Sequence, residues 1–496
     1  MGIINALAKN FTPQARSEQW DNLLEFAKNA KVETGFGYLL DDATVSTEKP
    51  VELWITCRMV HVFSLAALKE KKQPTPDETK ITTWENLATH GIYCLNNYFH
   101  DHEHGGWYSA ISPQTNKEKT SAKTDKTAQT ITVVDETKAA YAHAFVVLAA
   151  SSATIAGIAG ASQLLDHALE TQETRWWDEK HQKVKESYNR DFSKTEAYRG
   201  VNANMHTVEC YLAAFDATAE RKWLNRALQI LKWVLDEEAR ANNWRITEHY
   251  DENWQALPEY NIDRPTDPFR PYGHTPGHGL EWGRLALHAG AELERLNEPA
   301  PKWILECADQ VIERAITDGW HADGEPGFVY TTSETGEPVA KERMHWVLCE
   351  AIGAATTLAE AIVEKQAREL AGVEREKGEL EGVMGGSDLD LGASNLESDV
   401  SDLDSGASNL PMEKTRARSS LSQARINLLV ERIDNWWAYA EKYLIATPGQ
   451  WRHELDAKNQ PSAVTWGGKP DAYHVAQMLL LPDLKLAPTF ALGILS

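Results

Sequence analysis

Apolar residues recur at spacings of three and four through most of the chain. They predict helices from Trp54 to Leu68, Tyr141 to Ala150, Met205 to Ala214, Trp223 to Leu235, Leu280 to Leu293, Trp303 to Ile316, Trp346 to Ile362 and Ile426 to Tyr443. Each run is followed by a cluster of Gly, Pro, Asn or Asp. Several of the turns set an aromatic beside glycines, as in Gly105-Gly106-Trp107-Tyr108 and from Gly324 to Tyr330. Strands do not alternate with helices in the way a parallel sheet requires. There is no GxGxxG, and Gly467-Gly468-Lys469-Pro470 lacks the spacing and hydroxyl of a phosphate-binding loop. The pattern points to an all-α chain of paired helices joined by functional loops, and away from a nucleotide fold.

Two stretches break this pattern. Ser112 to Thr132 is rich in Lys and Thr with little apolar patterning, as expected of an inserted surface loop. The second, from about Ala371 to Gln423, contains SDLDLGASNL at Ser387 to Leu396, repeated almost unchanged as SDLDSGASNL at Ser401 to Leu410. One extra copy cannot stack into a repeat fold. A low-complexity, acidic and disordered insertion is the expectation.

Composition narrows the class. The 496 residues are 42% hydrophobic and 25% charged, enough for a sizeable core, and the formal charge of −23 disfavours nucleic acid or an anionic membrane as partner. The five cysteines, Cys57, Cys94, Cys210, Cys307 and Cys349, form no CxxC pair, so neither a disulfide framework nor a zinc cluster is expected. The first twenty residues show no export or myristoylation signal, and the expected location is cytoplasmic. The uncharged run Ala144 to Leu165 is long enough to span a bilayer. Its serines and glycines indicate instead a buried helix ending near Gly157 and a turn into the next helix.

Chemistry gathers at helix starts. Asn202 and His206 stand four residues apart on one face, and Glu281 lies one turn after His278, where it can hold an imidazole's tautomer. His345-Trp346 leads to Glu350 one turn on, and Trp466 to His474 ends in Asp471-Ala472-Tyr473-His474, with Arg58 a fifth candidate. HExxH is absent, and His102-Glu103-His104 reads as an exposed turn, so no metal is expected. Among the 18 tryptophans, Trp107 and Trp346 at loop edges are the candidates for stacking on a sugar.

The segments YRGVNANMHTVE, DPFRPYGHTPGHGLEWGRLAL, HWVLCEAIGAA and WGGKPDAYHVAQ together resemble the N-acylglucosamine 2-epimerase superfamily of sugar epimerases and isomerases. The resemblance runs from about Trp54 to Pro482. It implies an (α/α)6 barrel filling residues 1–496 as one catalytic domain, a monosaccharide substrate and no cofactor. His453-Glu454-Leu455-Asp456 followed by WGGKPDAYH looks most like the D-mannose isomerase branch. By the same resemblance His278 and His474 are the acid/base pair, with Glu281 supporting His278. His206, Arg58, Tyr108, Asn202, Trp346, Glu350 and Glu454 are then expected around the sugar.

The chemistry fits those roles. Shifting a carbonyl between C1 and C2 requires removing the C2 proton and returning a proton to C1 through a cis-enediol, which a group titrating near 6.5 can do at neutral pH. Sulfoquinovose isomerisation and 2-epimerisation stay open as alternatives. A glycoside hydrolase on the same barrel would need two carboxylates astride the scissile bond, where this chain offers histidines. Oligomeric state is not readable.

Overall fold

The computed structural model describes residues 2–117, 129–384 and 409–496. Fourteen α-helices account for most of them: α1 (Ile3–Leu7), α2 (Pro13–Ala27), α3 (Leu53–Lys71), α4 (Glu78–Cys94), α5 (Ala140–Ile155), α6 (Ala161–Thr171) and α7 (Val201–Thr218), followed by α8 (Arg221–Leu231), α9 (Pro276–Arg295), α10 (Lys302–Gly319), α11 (His345–Met384), α12 (Asn409–Tyr439), α13 (Tyr473–Leu480) and α14 (Phe490–Leu495).

Helices α3, α5, α7, α9, α11 and α13 form a closed inner ring, each packed on the next, with α13 returning to α3. Outside them stand α4, α6, α8, α10 and α12, each paired with the inner helix before it, while α2 covers α13. The result is an (α/α)6 barrel whose sixth hairpin is made from the two ends of the chain. The layers explain the patterning. Inner helices touch neighbours on nearly every side, so α5 is buried from Ala140 to Ala153 almost without a break. Outer α8 buries only a stripe, Trp223, Leu224, Ala227, Ile230 and Leu231, where each large side chain contributes about 1.5–3 kcal/mol.

Local signals set the ends. Asp77 caps α4 by accepting from the Thr79 and Lys80 amides, and Thr12 caps α2 ahead of Pro13. The run from Ala144 to Leu165 is a buried helix followed by a turn, with Gly157 at φ +78° and Gly160 at φ +80° before α6. The stretch His345–Ala371 of α11 is long and apolar enough to cross a membrane, and here it forms an inner barrel helix with 72% of its apolar window buried. The expected helix from Trp223 to Leu235 is interrupted, since α8 gives way to a wider π-helical turn from Lys232 to Ala239.

Short antiparallel strand pairs crown one end of the barrel. Val51–Glu52, Lys138–Ala139, Tyr198–Gly200 and Arg343–Met344 each end directly before an inner helix, which fixes where α3, α5, α7 and α11 begin. At the opposite end Phe490 of α14 packs on His61 and His288, with ring centroids 6.4 and 6.0 Å apart, and closes the barrel floor.

The two irregular stretches have structured flanks. Asn116–Lys117 pairs with Gln129–Thr130, and residues 118–128 lie outside the described residues. Helices α11 and α12 continue through residues 371–384 and 409–423. Residues 385–408, which hold nearly all of the tandem repeat, lie outside the described residues.

Candidate active site

All six inner helices present their N-terminal turns to one cavity. Trp54 and Arg58 come from α3, Tyr141 from α5, Asn202 and His206 from α7, His278 and Glu281 from α9, His345 and Trp346 from α11, and His474 from α13. Loops add Phe269, Tyr330, His453, Trp466 and Asp471. Six converging helix N-termini supply positive potential, which favours a substrate that develops negative charge.

Two imidazoles are held alike. His278 Nδ1 lies 2.9 Å from Glu248 Oε2, and His474 Nδ1 lies 2.8 Å from Glu350 Oε1. In each, Nδ1–H donates to a buried carboxylate, leaving Nε2 as the ring atom for the cavity. Glu248 also accepts from the Thr275 amide, where α9 begins, so it caps the helix that carries His278. Glu350 also accepts from Arg284 Nε at 2.8 Å. Burial lowers His474 below the ordinary histidine value, while its bond to Glu350 works the other way. Burial would raise Glu350, yet Arg284 and His474 bring it down to about 2.

The indole of Trp346 stands between these two imidazoles. Its ring is tilted 35° to each, with centroids 5.5 Å from His278 and 5.6 Å from His474. This placement depends on Gly277, where a Cβ would come within 2.4 Å of the indole carbons.

The floor is charged and internally paired. Arg58 donates to Asp471 Oδ2 at 3.1 Å and to the Tyr141 hydroxyl at 3.2 Å, with its guanidinium against the rings of Trp54, Phe145 and Tyr473. His206 Nδ1 is 3.4 Å from Glu209, which also accepts from Tyr473 and Gln477, and burial brings His206 down to about 4. His345 and His453 stack with centroids 3.9 Å apart; burial takes His345 to about 3 and His453 well below its usual value, so both are neutral at physiological pH.

Several expected positions are corrected by this geometry. Glu281 lines the cavity but turns to His206 Nδ1 at 3.8 Å and Arg284 Nη2 at 3.5 Å, and the partner of His278 is Glu248. Burial and the neighbouring Glu350 push the Glu281 carboxyl well above the usual carboxylate range, against the opposing pull of Arg284. Glu350 sits behind His474 rather than against the cavity. Tyr108 lies outside the cavity, its hydroxyl accepting from Arg190 and its ring under the Lys138 ammonium of a buried Lys138–Asp101 pair. Trp107 is fully buried, donating its indole N–H to the Leu95 carbonyl. Glu454 also misses the cavity, with all of its hydrogen bonds going to residues 462–466. Arg58, Asn202, His206, His278, Trp346 and His474 do meet there.

Donor atoms of His206, Glu209 and Glu281, and of Glu281, Glu350 and His474, lie within 4.8 Å of one another, close enough to hold a cation. Arg284 lies beside the second of these groups, bonded to Glu350 and adjoining Glu281.

Comparison with known proteins gives the family. The sequence model of N-acylglucosamine 2-epimerase (GlcNAc 2-epimerase) matches residues 35–374 and 418–478, passing over most of the second irregular stretch. The chain is 35% identical over 474 residues to a D-mannose isomerase of Pseudomonas cannabina pv. alisalensis, covering 95% of this chain and 92% of that protein. It is 36% identical over 476 residues to a D-mannose isomerase of Thermobifida fusca, covering 95% and 93%. A crystal structure of D-mannose isomerase superposes with a TM-score of 0.69 at 22% identity, covering 95% of this chain and 98% of that one. A cellobiose 2-epimerase from Bacillus thermoamylovorans gives 0.63 at 18%, covering 95% and 97%. With its barrel, its cavity at the inner-helix N-termini and these relatives, the chain belongs to the N-acylglucosamine 2-epimerase family of isomerases and epimerases.

Proposed function

We propose that the protein interconverts D-mannose and D-fructose by proton transfer, with His278 and His474 as the acid/base pair and without a metal. The observation that carries this reading is the matched pair of imidazoles, each with Nδ1–H donated to a buried carboxylate, facing one cavity on either side of Trp346. The relatives named D-mannose isomerase supply the sugar.

In the open-chain aldose, a neutral Nε2 takes the proton from C2. The C2–H electron pair becomes the C1–C2 double bond and the C1 carbonyl electrons move onto O1, giving a cis-enediolate. The hydroxyl proton of O2 then passes to O1, the O2 electrons form the C2 carbonyl, and the C1–C2 double-bond pair takes a proton back from the protonated imidazole at C1, giving the ketose with no net change of atoms or electrons. The enediolate charge is met by Arg58 and by the six helix N-termini. The cation an enediolate would otherwise draw from a metal is supplied by side chains, and the carboxylates able to bind one are committed to Arg284, His206 and His474.

Incubation with D-mannose, before and after exhaustive dialysis against a chelator, tests the reading. Fructose formed at equal rates supports it. Loss of activity restored by a divalent ion overturns the metal-free part, and glucose in place of fructose assigns 2-epimerisation instead.

A further inference from the structure

Glu454 is almost fully buried, 1% exposed, yet among the described residues its carboxylate pairs with no cation, and it does not line the cavity. It gathers four donors from one loop. Oε1 accepts from the Ser462 hydroxyl at 2.7 Å and the Val464 amide at 2.9 Å, and Oε2 accepts from the Thr465 and Trp466 amides at 2.9 and 2.7 Å. The loop is otherwise tied at its start, where the Ser462 amide donates to the Glu454 carbonyl at 3.1 Å and Pro461 bridges to Leu455, while Val464 at its tip is 78% exposed. Its last residue, Trp466, forms a wall of the cavity, edge-on to Phe269 at 5.0 Å and to Trp54 at 6.3 Å. The strand carrying Glu454 also pairs with Met344, and the His345 amide donates to the His453 carbonyl at 3.1 Å, just ahead of Trp346.

We infer that Glu454 is a positioning residue that sets sugar affinity by caging residues 462–466 and holding Trp466 against the substrate. A carboxylate is the side chain the loop requires, because each oxygen accepts two bonds. A glutamine amide turned either way would aim its NH2 at two donors and lose both bonds. The proton-transfer groups His278 and His474 lie on other elements, so loosening the loop should weaken binding and leave the chemical step in place.

The kinetic arm of the test rests on the isomerase reading; the exchange arm does not. In Glu454→Gln, KM for mannose should rise about tenfold with kcat within about twofold, the scale of lost charge-assisted bonds. Trp466→Ala should raise KM similarly, and the double variant should be no worse than Trp466→Ala alone, since both act through one wall. Ser462→Ala, which removes a single donor, should give a smaller rise in KM and provides the same test if Glu454→Gln does not fold. By mass-spectrometric hydrogen exchange, the amides of residues 464–466 should be protected in the unsubstituted protein and exchange at least about tenfold faster in Glu454→Gln. An unchanged KM, a fall in kcat alone, multiplied penalties in the double variant, or unprotected amides in the unsubstituted protein would each overturn the inference. Absence of mannose turnover in the unsubstituted protein would overturn the proposed function, and amide exchange would still decide the cage.

Discussion

The Nδ1 atom of His278 lies 2.9 Å from the carboxylate of Glu248, a residue thirty positions upstream that reaches it from the strand His249–Asp251 and its approach. The same carboxylate caps the helix on which His278 sits, so one side chain fixes both the ring's tautomer and its backbone. Glu248→Gln should therefore lower kcat by about 10²-fold or more, the range of lost acid–base catalysis. Binding of a non-reacting polyol such as mannitol should change little. Unchanged kcat would remove Glu248 from the mechanism.

Gly277 provides a second test. A methyl group there would press on the Trp346 indole, which spaces the two bases. Gly277→Ala should cost about 1–3 kcal/mol in stability through overpacking. It should also lower kcat/KM at least about tenfold by displacing the bases. Activity and Tm equal to those of the unsubstituted protein would show that the ring yields freely.

The pH profile follows from burial. His474 must be neutral to accept a proton, and its pKa lies below the ordinary histidine value. The acid limb of kcat/KM assigned to it should fall below pH 6.5. Glu350 raises that pKa, so Glu350→Gln should move the limb further down. A limb moving upward would contradict the assigned partner.

Stability should also fall in acid. Burial takes His61, His206 and His288 to about 4, and His143 and His345 to about 3. The unfolded chain binds protons at these sites near pH 6.5 and the folded chain does not, so stability is full above that value and declines as pH drops toward 4. Tm at pH 5 should lie several degrees, about 4 °C or more, below Tm at pH 7. Equal values would place these rings in more polar surroundings.

Substrate charge gives a further prediction. Arg58 is the one Lys or Arg side chain lining the cavity among the described residues, and it is committed to Asp471. In the proposed mechanism Arg58 already meets the enediolate at C1 and C2, so a C6 sulfonate or phosphate would find no second cationic side chain in the lining. Mannose should be turned over with a much higher kcat/KM than sulfoquinovose, and comparable values would contradict this use of Arg58.

The inner helices α3, α5, α7, α9 and α11 were legible because their apolar faces are continuous, and helix starts announce His278, His345 and His474, but α13, with eight residues, is too short to show a period. Helix α2 was not legible, because Arg16 and Gln19 are buried within it and interrupt the apolar period. Its partner α13 lies at the other end of the chain. Glu281 is one turn from His278, as spacing requires, but spacing cannot show that Arg284 and His206 draw its carboxylate aside. Glu248 carried no signal, since it precedes a three-residue strand with no period to read. Asp471 stood in a recognised motif, but its bond to Arg58 joins residues 413 positions apart. Tyr108 follows a glycine turn like those at the cavity, yet Lys138, Asp101 and Arg190 form a separate ion cluster that claims it.

Transfer of the C2 proton of mannose by His278 and His474 is tested most directly by incubating mannose deuterated at C2 with the unsubstituted protein, His278→Asn and His474→Asn, and following the label by NMR. The unsubstituted protein should carry deuterium to C1 of fructose or exchange it with water. Both variants should keep the C2 label intact while still binding mannitol. Near-normal loss of the C2 label in either variant would contradict this transfer.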